Sequence, residues 1–167
     1  MLRLRSISSQ KRVEGTTRGL FPAESSEKSS FLLSFSAGCP EMKNARRLRI
    51  LCADNNAVVS KELGNALSET GCRVVCASNG GVALRKLTSP SANFDLLITE
   101  FELPQLTGLE LVREVRARRF AGHIIVLSHS LPREVAAAFR ALRVDCLARK
   151  PITPDNLVRL VSSVWIG

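Results

Sequence analysis

From Leu48 onward the chain alternates between short apolar runs and stretches whose apolar residues recur every three or four positions. "LRILCA" (48–53), "RVVCA" (73–77), "FDLLIT" (94–99), "HIIVLS" (123–128) and "VDCLA" (144–148) are brief and apolar, the second also β-branched. Their length and composition predict strands. Helical patterns lie between them. "NAVVSKELGNALSETG" (56–71) puts Val59, Leu63, Ala66 and Leu67 on one helical face and ends at Gly71, the residue type that favours a left-handed cap. "GGVALRKLTSP" (80–90) predicts a short helix stopping before Pro90. Residues 108–119 predict a helix with Thr107 as N-cap. "PREVAAAFRALR" (132–143) turns Val135, Phe139 and Leu142 inward. "TPDNLVRLVSSVW" (153–165) places Thr153 at the N-cap and Pro154 at the first helical position.

This is strand–helix five times over. The strands are continuous apolar runs, which is the pattern of strands covered on both faces. Short connections between alternating elements predict an α/β fold, a doubly wound parallel sheet with right-handed crossovers. Ligand sites in such sheets lie beyond the carboxyl ends of the strands.

Residues 1–41 do not share the pattern. They are rich in Ser and Arg, have no sustained period, and read as a disordered basic extension that cannot offset its chain entropy. "FLLSFSAGC" (31–39) is too short for a confident secretory segment, and the Arg/Ser bias is only a weak transit-peptide signal. Met42 opens "MKNARRLRILCADNN", which would serve as a protein start, so residues 42–167 are the domain and 1–41 an extension ahead of it.

The whole chain has 167 residues, 45% hydrophobic and 23% charged, which suits one globular domain with its own core. No apolar stretch approaches the roughly 18 residues of a membrane span, so no membrane partner is expected. The five cysteines, Cys39, Cys52, Cys72, Cys76 and Cys146, form no CxxC pair and lack His partners at ligand spacing. Cys52, Cys76 and Cys146 lie in apolar runs and are expected as reduced, buried thiols, which with the lack of a span suggests a cytoplasmic setting.

The strand ends carry the chemistry. Strand one ends in Asp54 and Asn55, strand three in Glu100, strand four in Ser128 followed by His129, and strand five is followed by Lys150-Pro151. Taken singly, each has a plain explanation as a helix cap, a turn hydroxyl or a solvated lysine. Taken together, two carboxylates, an amide, a hydroxyl and an ammonium meet at one crevice if the topology is right.

These residues carry a resemblance. "ILCADNN", "FDLLITEFELPQLTGLEL", "IIVLS" and "RKP" resemble, in order and spacing, the acidic pair, phosphoacceptor strand, Ser/Thr switch and Lys-Pro of CheY-like receiver domains of two-component response regulators. The resemblance spans 48–166 and implies a flavodoxin-like sheet of order 2-1-3-4-5 with five helices. It implies a phosphoacceptor position at Glu100, an acidic pocket at Asp54 and Asn55, phosphoryl contacts from Ser128 and Lys150, and a cis Lys150–Pro151 bond. The Mg²⁺ ligands would be Asp54, Asn55 and Glu100.

The chain departs from that family where the chemistry is done. Glu100 replaces the acceptor Asp, Asn55 an acid, His129 a small residue, and Leu147 an aromatic switch residue; there is no Tyr in the chain. Glu reaches about 1.5 Å further than Asp. Its carboxylate is expected to meet Lys150 and the Ser128 hydroxyl where a phosphoryl group would sit, with magnesium weakly bound or absent. The expectation is a stand-alone, phosphorylation-independent receiver, not an enzyme, that binds a histidine kinase or downstream effector. The alternative is a conventional Mg²⁺-dependent phosphoacceptor. Net charge is +9, and residues 42–167 hold 18 Lys+Arg against 11 Asp+Glu. Arg113, Arg116, Arg118, Arg119, Arg133, Arg140, Arg143 and Arg149 fall on or beside the third and fourth helices and fifth strand, a face suited to an acidic protein surface. Nucleic acid is disfavoured, because aromatic and basic residues are not interleaved. Oligomeric state is left open.

Overall fold

The computed structural model describes residues 47–166. The elements alternate without exception: β1 (Arg49–Ala53), α1 (Ala57–Glu69), β2 (Arg73–Ala77), α2 (Gly80–Thr88), β3 (Leu96–Glu100), α3 (Gly108–Ala117), β4 (His123–Ser128), α4 (Arg133–Ala141), β5 (Cys146–Arg149) and α5 (Pro154–Ile166). The five strands are parallel, in the order β2-β1-β3-β4-β5. This is the doubly wound, flavodoxin-like sheet expected. The disordered reading of residues 1–41 lies outside the described residues.

Strand alternation divides the core in two. Leu51, Ala53, Leu97 and Val126 face one side, where Leu111, Val112 and Val115 of α3 and Phe139 of α4 cover them. Ile50, Cys52, Leu96 and Ile98 face the other, under Leu63 and Leu67 of α1 and Leu157 and Val161 of α5. Every residue of β3 is buried. Each fully buried aliphatic side chain contributes about 1.5–3 kcal/mol, so this two-sided core dominates stability and fixes where the strand ends lie.

Polar side chains cap four helix starts, Thr107 and Thr153 as expected and also Asn56 and Asn79. Asn56 Oδ1 accepts from the Val58 and Val59 amides, and Asn79 Oδ1 from the Val82 amide. Thr107 and Glu110 form a reciprocal capping box at α3. The Thr153 hydroxyl accepts from the Asn156 amide at 3.3 Å. Two helices end before their apolar periodicity does. The patterns ran to Arg119 and Arg143, whereas α3 and α4 stop at Ala117 and Ala141. There the chain leaves the helix through residues with left-handed backbone, Arg119 and Arg143, a change that apolar periodicity does not register. Strand five likewise begins at Cys146, because Val144 still belongs to the α4 cap.

One burial expectation fails. Cys52 is buried and Cys146 half-buried, but Cys76 is exposed. β2 is an edge strand, so a thiol in an apolar run there has only α1 beside it, its Sγ 3.7 Å from the Ser60 carbonyl.

Candidate functional site

Register brings the distant residues together. Ala53 pairs with Thr99, so Asp54 and Glu100 sit next to each other where β1 and β3 end. Ser128 pairs with Arg149, which sets Lys150 one step beyond the end of β4. The Lys150–Pro151 peptide is cis. Gly108 permits the close return of the chain after β3, since a Cβ there would collide with the backbone of Glu100 and Phe101.

Asp54, Glu100, Ser128 and Lys150 are all buried, at 3%, 5%, 3% and 7% exposure. Lys150 Nζ lies 2.6 Å from Asp54 Oδ2 and 2.5 Å from Glu100 Oε2. One ammonium is thus shared by two carboxylates. Their remaining oxygens are also engaged: Asp54 Oδ1 accepts from the Asn56 amide at 2.9 Å, and Glu100 Oε1 from the Phe101 amide at 2.9 Å. Those two amides are parts of the site that side-chain pattern could not reveal. Asn56 itself is the N-cap of α1, a place the sequence pattern had left to Asp54 or Asn55.

Burial by itself would raise the Glu100 carboxyl. Hydrogen bonds from Lys150 and Ser128, the Lys150 charge and the Phe101 amide outweigh it, and the group stays below its ordinary value. Lys150 is the mirror case: burial would lower it, but its bonds to Asp54 and Glu100 hold it above the ordinary lysine value. Ser128 has one hydroxyl proton and two acceptors for it. The geometry gives that proton to the Ser130 carbonyl at 3.0 Å, and the Glu100 carboxylate competes for it.

Asn55 and His129 are exposed. Neither joins the hydrogen bonds that link Asp54, Glu100 and Lys150. Thr99 is fully buried, with its hydroxyl donating to the Glu100 carbonyl at 3.0 Å. Leu147 is half-buried against the α4-side core.

These donors suit an ammonium better than a divalent metal. Magnesium asks for near-octahedral oxygen ligation at about 2.0–2.1 Å. Here all four carboxylate oxygens already face N–H donors, and the would-be third ligand, Asn55, turns to solvent. Among the described residues no three His, Cys, Asp or Glu side chains group to hold a metal. As arranged, the crevice does not fit Mg²⁺.

Residues 50–162 match the family model described as the response regulator receiver domain. The chain belongs to that family. Chemotaxis protein CheY1 of Helicobacter pylori is 30% identical over 113 residues, covering 66% of this chain and 90% of that protein. The two-component response regulator-like APRR1 of Arabidopsis thaliana is 25% identical over 122 residues, 71% of this chain but 20% of that protein. Among solved structures, a response regulator receiver protein from Pseudomonas putida matches with TM-score 0.66 and 31% identity, covering 72% of this chain and 99% of that one. Receiver domains are in general non-enzymatic signalling domains that interact with histidine kinases and effectors and typically bind Mg²⁺ where they are phosphorylated. A relative from Trichodesmium erythraeum, 33% identical over 98 residues and matched over 27% of its length, is named as a protein-glutamate methylesterase/protein-glutamine glutaminase. No helix among the described residues of this receiver is long and apolar enough to cross a membrane.

Proposed function

We propose that this receiver signals by binding a protein partner and does so without being phosphorylated. The observation that carries the reading is the Glu100–Lys150–Asp54 cluster. Phosphoryl transfer rests on positioning and charge neutralisation. A nucleophile needs an oxygen free to attack, and both Glu100 oxygens are held, one by Lys150 and one by the Phe101 amide. Phosphorylation would turn a carboxylate of one negative charge into an acyl phosphate of nearly two, in a crevice where one ammonium already serves two carboxylates. Glu100 instead presents to Lys150 the kind of anionic oxygen that a phosphorylated aspartate would present.

The binding state is therefore the standing state of the domain, and magnesium is weakly bound or unnecessary. The partner is a histidine kinase or a downstream effector of a two-component pathway, met in the cytoplasm. Arg133, exposed at the first residue of α4, and Arg113, exposed midway along α3, suit an acidic protein surface.

The test is incubation with Mg²⁺ and acetyl phosphate followed by intact mass. The expected result is an unchanged mass for the wild-type chain, with Glu100→Asp as the comparison that restores the family's acceptor. A stable phosphoryl adduct on the wild type would return the protein to the conventional phosphoacceptor class.

A further inference from the structure

The pole where strands begin and helices end has a chemistry of its own, separate from the function proposed above. Three helices finish there with the same paired hydrogen bonds. The amides of Cys72 and Gly71 reach Leu67 and Ser68 at 3.3 and 2.9 Å, those of Phe120 and Arg119 reach Val115 and Arg116 at 2.9 and 3.0 Å, and those of Val144 and Arg143 reach Phe139 and Arg140 at 3.3 and 3.0 Å. This cap requires one residue with left-handed backbone. In α1 it is Gly71, at φ 89°; in α3 and α4 it is Arg119 and Arg143, at φ 62° and 54°. Any side chain bears a steric cost there, which glycine avoids. The same cost accepted at two adjacent helix ends is an outlier that asks for a functional reason. Helix dipoles do not supply one, because Arg116 and Arg140 already occupy the last turns.

Around Arg119 and Arg143 stand the exposed Arg47, Arg73, Arg85 and Arg140. They spread from the edge strand β2 to the α4–β5 side, a sheet about 20 Å wide. Glu69, the last residue of α1, is exposed at this pole, while the other acidic side chains there are engaged. Glu114 pairs with Arg118 at 3.2 Å, Asp145 holds His123 at 2.8 Å and faces Arg116 at 3.7 Å, and Asp95 accepts from the Arg49 amide at 2.8 Å. Trp165 and Ile166 are 44% and 72% exposed. The Trp165 ring lies against His123, the first residue of β4, at 5.8 Å, which ties it to the same pole.

We propose that this pole docks on an anionic lipid surface. The exposed arginines belong to separate strand and helix ends across the width of the sheet, which makes a broad basic face. The exposed Trp and Ile add the apolar and interfacial component that such surfaces take up and a polyanion in water does not. Anionic headgroups attract basic side chains within a Debye length of the membrane. The absence of a span had suggested no membrane partner, but peripheral docking needs none.

Trp165 is the single tryptophan of the chain and reports on its own surroundings. The full chain is titrated with phosphatidylcholine vesicles, with and without phosphatidylserine, reading co-sedimentation and Trp165 emission. The expected result is binding and a blue shift only with phosphatidylserine, weakened by added salt. Arg119→Gly with Arg143→Gly removes both cations yet relieves both left-handed positions. It is expected to weaken binding about 10- to 30-fold, at roughly five-fold per arginine, with no fall in the thermal midpoint. Glu100→Gln should bind vesicles as the wild type does, which separates this test from that of the crevice. Equal binding by the double-glycine chain, no partition to phosphatidylserine, or tighter binding to duplex DNA than to vesicles would each overturn the proposal.

Discussion

Replacing Lys150 by Met removes the charge that the crevice is built around and keeps much of the side chain's bulk. Asp54 Oδ2 and Glu100 Oε2 lie 2.6 and 2.5 Å from the same nitrogen, which puts them no more than about 5 Å apart. At that separation and an effective dielectric near 20, two carboxylates repel by about 3 kcal/mol. Breaking a buried pair by deleting one member costs about 3–5 kcal/mol by general experience, so the two routes agree. Against a total stability of about 5–15 kcal/mol the loss is severe but survivable. Urea unfolding at neutral pH should show the midpoint falling by at least one molar, given a slope of about 1–3 kcal/mol per molar.

The pH profile distinguishes this cause from lost packing. In the wild type the Glu100 carboxyl is held below its ordinary 4.5, so its contribution is present above that pH and is lost as acid brings the pH down through the lowered value. Lys150 is held above its ordinary 10.5, so its contribution is present below that pH and is lost as alkali passes the raised value. Without the ammonium, like-charge repulsion and burial both push a carboxyl upward, and a folded state that binds a proton gains stability on acidification. Lys150→Met should therefore become more stable from pH 7 towards 5, while the wild type does not. Adding Glu100→Gln to Lys150→Met should recover part of the loss at neutral pH, because only one buried carboxylate remains. A Lys150→Met chain within about 1 kcal/mol of wild type, with a parallel pH profile, would refute the shared-ammonium account.

Gly108→Ala would press a methyl group into the Glu100 and Phe101 backbone, and it should cost about 1–3 kcal/mol or more, measured by thermal or urea unfolding. An unchanged midpoint would mean the turn after β3 is free to relax. Thiol labelling of the native chain, mapped by peptide mass, should modify Cys76 rapidly and leave Cys52 untouched until unfolding. Burial first, then the neighbouring Cys76 and Asp54, push Cys52 up to about 12, against smaller opposing effects of Lys150 and Ser60. Early modification of Cys52 would show that β1 opens at the α1 face.

The fold was legible because each strand is a run of apolar residues and each helix repeats its apolar face, patterns that burial enforces one residue at a time. The strand-end residues were legible as a set for the same reason: a parallel sheet delivers every strand's last residue to one edge. Three things lay beyond pattern. Asn55 follows Asp54 directly, yet only Asp54 turns into the crevice, because its carboxylate wraps back onto the Asn56 amide and Asn56 takes up the cap. Cys76 looks as apolar in context as Cys52, but strand order, not sequence, decides which of the two register partners lies at the edge. Arg119 and Arg143 look like ordinary solvated cations until backbone dihedrals show them where glycine belongs.

Those limits share a cause. Periodicity reports which face a residue occupies; it is silent on backbone amides and on dihedral cost, and the carboxylates of this crevice are oriented by amides. Asp54 and Glu100 would repel each other at the end of any such sheet. What makes them compatible is that each has one oxygen fixed by its own turn and one turned to the same ammonium. The acid at position 100 reaches the Lys150 ammonium with one oxygen while the other stays on the Phe101 amide, so the ion-pair network of the crevice closes on the chain's own groups.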